Sequence, residues 1–134
     1  MSMSESILIV EDDPTIAAAL GRFLDNAGYE TTAATNGREA LDVLQCGVRP
    51  SVLLIDLMMP LMSGWELVEC LNRDDTLSQI PIVIMSAYPK LVGQAKLKAL
   101  NLPFLEKPIR FEQLLGTIRK VARPSSSRWE LPRS

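Results

Sequence analysis

Five short apolar or β-branched runs, each followed by a stretch with helical spacing, constrain this chain more than any other feature. Strands joined by hairpins can run antiparallel, but strands joined by helices run parallel, through right-handed crossovers. The first run, Ser6–Val10 (SILIV), is cut off sharply by Glu11-Asp12-Asp13-Pro14 and reads as a strand buried on both faces. Asp13 suits an N-cap and Pro14 the first helical position. Ile16, Leu20, Phe23, Leu24 and Ala27 then recur at helical spacing until Gly28 stops them. Residues 29–34 (YETTAA) form a second, less apolar strand, expected nearer an edge. Asn36-Gly37 begins a helix whose inner face is Ala40, Leu41 and Leu44, closed by Gly47. Residues 52–55 (VLLI) are the third strand, and Ser63-Gly64 leads into a helix carrying Leu67, Val68 and Leu71. Residues 72–79 are polar and loop-like. Residues 80–85 (IPIVIM) are the most strand-like run, followed by Ser86-Ala87-Tyr88-Pro89. A helix from about Lys90 to Leu100, a short strand at Phe104–Glu106 and a last helix marked by Phe111, Leu114, Leu115, Ile118 and Val121 complete the pattern. The expected fold class is α/β, a doubly wound, open, five-stranded parallel sheet.

With 134 residues, one domain over residues 5–122 is expected, and residues 123–134 (RPSSSRWELPRS) read as a flexible tail or linker. A net charge of -2 offers no electrostatic footing for nucleic acid, so DNA binding by this chain alone is not expected. Cys46 and Cys70 show no metal-like spacing and read as reduced, partly buried thiols. No apolar stretch approaches a membrane span, and the polar start MSMSES is no signal peptide, so a cytoplasmic location is the default. Histidine is absent, which removes the commonest general base and metal ligand. A bound metal should therefore be a hard, oxygen-seeking ion such as Mg2+.

In a parallel sheet the carboxyl ends of the strands share one edge, where such folds place their chemistry. Glu11, Asp12 and Asp13 follow the first strand, Asp56 the third and Ser86 the fourth, and Lys107-Pro108 follow the last. Each alone has an ordinary explanation. An Asp after a strand is usually a turn or cap residue, as Asp13 before Pro14 is; Ser86 alone is a turn residue, and Lys107 alone a surface lysine. Their convergence from four strands is what points to a site. Two carboxylates ~4 Å apart repel by about 4 kcal/mol at an effective dielectric near 20. A divalent cation removes that repulsion. A carboxylate beside Mg2+ can attack phosphorus to give an aspartyl phosphate, with a lysine and a hydroxyl on the phosphoryl oxygens. No general base is evident, so such a site accepts a phosphoryl group and hydrolyses it slowly at most.

Four motifs, ILIVEDDP, LLIDLMMPLMSGWEL, IVIMSAY and FLEKP, in this order and spacing, closely resemble the receiver domain of two-component response regulators. The resemblance implies a flavodoxin-like strand order 2-1-3-4-5. It implies that Asp56 is the phosphoacceptor, served by a histidine kinase or phosphotransfer protein. It makes Glu11 and Asp12 the acidic pair, Asp12 binding Mg2+ directly and Glu11 through water, with the Met58 backbone carbonyl completing the metal site. Ser86 with Ala87, Lys107 and Phe104 become the phosphate-binding and switch residues, and Lys107–Pro108 a position for a cis peptide bond. The output face would comprise the Lys90–Leu100 helix, the Phe104–Glu106 strand and the Phe111–Ala122 helix, contacting a downstream protein. Met58 and Tyr88 occupy positions that influence access of hydrolytic water, so a long phosphoryl lifetime is expected.

Asn101-Leu102-Pro103 stands where the family usually has a Gly-Ala turn, and the Ser86-to-Lys107 interval is one residue short. A phosphohydrolase with an aspartyl nucleophile would want a carboxylate where Met58 stands. A degenerate receiver kept for binding alone would lack one of Asp12, Asp56, Ser86 and Lys107, all of which are present. The chain is expected to be a single-domain regulator or a receiver excised from a longer protein, not a turnover enzyme.

Overall fold

A computed structural model of the chain describes residues 5–59, 62–87 and 99–122. Among these residues, strands β1 (Ser6–Val10), β2 (Glu30–Ala34), β3 (Val52–Asp56), β4 (Ile82–Ser86) and β5 (Phe104–Glu106) form one sheet in the order β2-β1-β3-β4-β5. All four pairings are parallel, as the alternation with helices requires. Helices α1 (Pro14–Asn26), α2 (Gly37–Gln45), α3 (Gly64–Asn72) and α4 (Phe111–Val121) follow β1, β2, β3 and β5. Most of the helix expected at residues 90–100, together with Tyr88 and the tail at 123–134, lies outside the described residues.

The absence of polar alternation in the central strands follows from a core on each side of the sheet. Leu8, Val10, Leu53, Ile55 and Ile84 face α2 and α3, packing on Leu44, Leu67 and Leu71. Ile7, Ile9, Leu54, Val83 and Met85 face α1 and α4, packing on Leu20, Leu24, Leu114 and Ile118. Successive side chains on a strand point to opposite faces, so both must be apolar here. β2 is at the edge, and Glu30, Thr32 and Ala33 are exposed there.

The helix boundaries follow local chemistry. Asp13 caps α1, its carboxylate accepting the Thr15 and Ile16 amides at 2.9 and 3.3 Å, with Pro14 in the first turn. Ser63 and Glu66 form a reciprocal capping box at the start of α3. Asn101 takes a left-handed φ of 56°, which asparagine tolerates better than most residues.

Several expectations need correction. β4 begins at Ile82 rather than at residue 80: Pro81 has no N–H to donate to a ladder, and Ile80 closes a short 3-10 turn over Leu77–Gln79. That turn replaces plain loop, because the Asp74 carboxylate collects the Thr76 and Leu77 amides and Leu77 is buried. Tyr29 packs beside the α1–α4 core and precedes β2. Cys46 is exposed at the end of α2, whereas Cys70 is partly buried; both are free thiols. Among the described residues no helix is long and apolar enough to cross a membrane.

Candidate functional site

Register brings the strand ends together. Val10 pairs with Ile55, Asp56 with Met85 and Ser86 with Glu106, so the residues that follow share one edge. Three backbone bonds tie that edge together: Glu11 N–H to the Ala34 carbonyl (3.0 Å), Leu57 N–H to that of Met85 (3.1 Å), and Lys107 N–H to that of Ser86 (2.9 Å).

The side chains meet above it. The Lys107 ammonium lies 2.7 Å from Glu11 Oε1 and 3.0 Å from Asp56 Oδ2. Asp56 Oδ1 accepts the Met58 amide at 3.1 Å, and Glu11 Oε2 accepts that of Asp13 at 3.2 Å. Glu11 and Asp56 are buried, Asp12 is exposed, and one oxygen from each of the three lies within 4.8 Å of the others. Two buried carboxylates thus share one ammonium. Burial pushes the Glu11 carboxyl up to about 7; Lys107 and the Asp13 amide oppose this, while the nearby Asp56 charge adds to it. For Lys107, burial works to lower the pKa, but the hydrogen bonds to Glu11 and Asp56 overcome it and leave the group raised.

The other candidates surround this centre. Ser86 is fully buried at the end of β4, and Ala87 is exposed beyond it. Phe104 is half-buried on the α2–α3 side of β5. Met58 is 55% exposed, the most exposed large apolar side chain among the described residues. The Lys107–Pro108 peptide bond is cis.

A family model, the response regulator receiver domain, matches residues 7–119. The chain belongs to that family. It is 30% identical over 118 residues to the polar-differentiation response regulator DivK of Brucella anthropi, covering 87% of this chain and 95% of that protein. It is 35% identical over 127 residues to YkoG of Bacillus subtilis, an uncharacterised transcriptional regulatory protein, covering 92% of this chain and 54% of that one. This receiver domain therefore spans about half the length of YkoG and nearly all of DivK. The crystallised chemotaxis protein CheY4 of Vibrio cholerae superimposes with a TM-score of 0.80 at 31% identity, over 89% of this chain and 99% of that one. The chain is thus a receiver module of two-component signalling with the flavodoxin-like fold.

Two features of the receiver domain's site were not foreseen from sequence. The first is a groove of about 410 Å3 beside it, where Ala87 and Lys107 meet Ile16, Leu20, Ile109 and Phe111. Phe111, 43% exposed, stacks on Phe23 with ring centroids 4.5 Å apart. The spacing of α1 did mark Ile16 and Phe23, but as core. The second is Gly64, against which the backbone of Asp56 and Leu57 packs directly. A groove of about 690 Å3 near Ile80, Pro81 and Pro103, at the opposite edge, carries no titratable side chain.

The crowding of carboxylates has a measurable consequence. Asp12→Asn should raise stability in chelator by up to about 1 kcal/mol, because it removes an exposed carboxylate that repels the neighbouring Asp56 and Glu11. Urea melts in EDTA check this; an unchanged or lower midpoint refutes the repulsion.

Proposed function

We propose that this receiver domain accepts a phosphoryl group on Asp56 from a histidine kinase or a histidine phosphotransfer protein. The observation that carries the proposal is the setting of Asp56: one oxygen lies on the Met58 amide, the other on the Lys107 ammonium, and two further carboxylates stand within 4.8 Å. An Asp56 oxygen would attack phosphorus, the P–N bond of the donor phosphohistidine would break, and the imidazole would leave with the bonding electrons. Lys107, 3.0 Å from Asp56 Oδ2, would bind a phosphoryl oxygen, and the Ser86 hydroxyl would donate to another.

The donor set suits Mg2+. Glu11, Asp12 and Asp56 offer oxygens close together, with neither histidine nor thiolate among them. The Met58 backbone carbonyl is a further candidate ligand. When bound, Mg2+ would offset the negative charge that the carboxylates and the phosphoryl group bring together.

The apolar groove beside Lys107 is the surface a donor protein would cover while presenting its phosphohistidine to Asp56, since Ala87 and Lys107 belong to both. On the output side, the phosphoryl group would draw in Ser86 and turn the half-buried Phe104 inward. That would alter the face formed by Phe104–Glu106 and Phe111–Ala122, and so its preference for a downstream protein.

The test is incubation with acetyl phosphate and Mg2+, followed by peptide mapping. One hydroxylamine-labile phosphoryl group on the Asp56 peptide is expected; no adduct, or an adduct elsewhere, rejects the proposal. The chain should not turn over a generic phosphate ester, because Met58 supplies no acid–base group. The adduct should last for hours rather than seconds, as the exposed Met58 side chain offers water no useful hydrogen bond. Loss of label within seconds from purified protein in Mg2+ would contradict this.

A further inference from the structure

We infer that Gly37, on a helix that contributes no side chain to the site, is a positioning residue for the loop that follows Asp56. The inference rests on the reading of Asp56 as a metal-assisted phosphoacceptor, and it adds a second contact that keeps the loop in place. Two glycines bracket the described parts of that loop. Gly64, at the start of α3, donates its N–H to the Leu57 carbonyl at 3.1 Å and closes the loop on itself. Gly37, at the start of α2, donates to the Met62 carbonyl at 3.3 Å and ties the loop to a different element.

Space, not torsion, is what Gly37 supplies. The positive-φ glycines among the described residues are Gly28 and Gly47, so an alanine could adopt the Gly37 backbone. A methyl group there would nevertheless lie 2.8 Å from Met62 Cγ, 2.9 Å from the Met62 carbonyl oxygen and 3.0 Å from Met62 Cβ. The sulfur end of Met62 can swing away. The carbonyl and Cβ cannot move without the chain, and they are also what the Gly37 N–H holds. Relief therefore has to come from shifting Met62 by several tenths of an ångström, and the hydrogen bond is lost or stretched with it.

Met62 is partly buried against the α2–α3 core, so it does not yield freely outward. Met58, four residues before Met62 in the chain, has the amide that holds Asp56 Oδ1 and the carbonyl that is the candidate metal ligand, so a shift of Met62 bears on both. Gly37 thus sets where the loop sits, while Glu11, Asp12 and Lys107 are reached through other elements and stay in place.

The test uses Gly37→Ala with Gly116→Ala as control, since a methyl at Gly116 on α4 meets nothing within 4 Å. Two measurements are made on each protein. Amide hydrogen exchange in the metal-free state should quicken at Leu57–Met59 in Gly37→Ala and not in the control. Calorimetric titration should show Mg2+ affinity reduced by about threefold or more in Gly37→Ala, as for other small misplacements of a site. Combining Gly37→Ala with Met62→Ala, which removes the Cγ contact, should restore part of both. Unchanged exchange at Leu57–Met59 in folded Gly37→Ala overturns the inference, as does a fall in melting temperature with Mg2+ affinity intact. If wild type binds no Mg2+, the phosphoacceptor reading fails, and the exchange result still decides whether Gly37 positions the loop.

Discussion

Asp56→Asn is expected to reduce phosphorylation by acetyl phosphate to background while the protein remains folded. The substitution is nearly isosteric, but a carboxamide oxygen is too weak a nucleophile to displace an acyl phosphate or a phosphohistidine. The change also removes one of two buried carboxylates that share Lys107. Lys107 keeps its 2.7 Å contact with Glu11, and the amide oxygen can still accept from Met58 N–H. Stability in EDTA should therefore hold or rise, as for Asp12→Asn. The measurement is phosphoprotein yield per folded chain, with urea melts in parallel. Labelling that persists in a folded Asp56→Asn would place the acceptor elsewhere, Glu11 and Asp12 being the adjacent carboxylates.

Among the described glycines, Gly64 should be the one where an added methyl does most damage. A Cβ there would stand 2.6 Å from the Asp56 carbonyl oxygen and 2.6 Å from Leu57 Cα, both backbone atoms. No rotamer change can relieve that contact. Either α3 retreats, opening the packing of Leu67, Val68 and Leu71, or the end of β3 moves and carries Asp56 with it. Overpacking of this kind costs about 2–3 kcal/mol, which lowers the melting temperature by roughly 10 °C in a domain of this size. Since the clash bears on the phosphoacceptor's own backbone, phosphorylation by acetyl phosphate should slow in whatever fraction stays folded. A Gly64→Ala protein that melts with the wild type would show that the close approach is not required. Gly116→Ala again calibrates the assay, because an unhindered helical Gly→Ala exchange is neutral or favourable.

Much of the architecture was legible because each element announces itself locally. ILIV (residues 7–10) and VLLI are apolar at every position, which signals strands covered on both faces, and Asp13-Pro14 and Ser63-Gly64 mark helix starts that the structure realises. Parallel pairing then places Glu11, Asp56, Ser86 and Lys107 at one edge without further information. What periodicity cannot express is which atoms touch across that edge. The Lys107–Glu11 pair joins residues 96 apart in the chain, and no local pattern sets its distance. Gly37 and Gly64 read only as helix beginnings, since their need for space comes from Met62 and from the Asp56 backbone. Ile80 looked like strand because apolar side chains were counted, while Pro81 and its missing N–H decided the boundary.

The bond from Lys107 N–H to the Ser86 carbonyl, 2.9 Å long, is a mechanical linkage as well as a pairing contact. It couples the backbone of the hydroxyl-bearing residue to that of the ammonium-bearing one, although about twenty residues of chain separate them. A pull on Ser86 is thereby a pull on β5, the strand that carries Phe104. Whatever engages the serine and the lysine together would load that one bond from both sides, and the sheet offers the load a direct way out of the site.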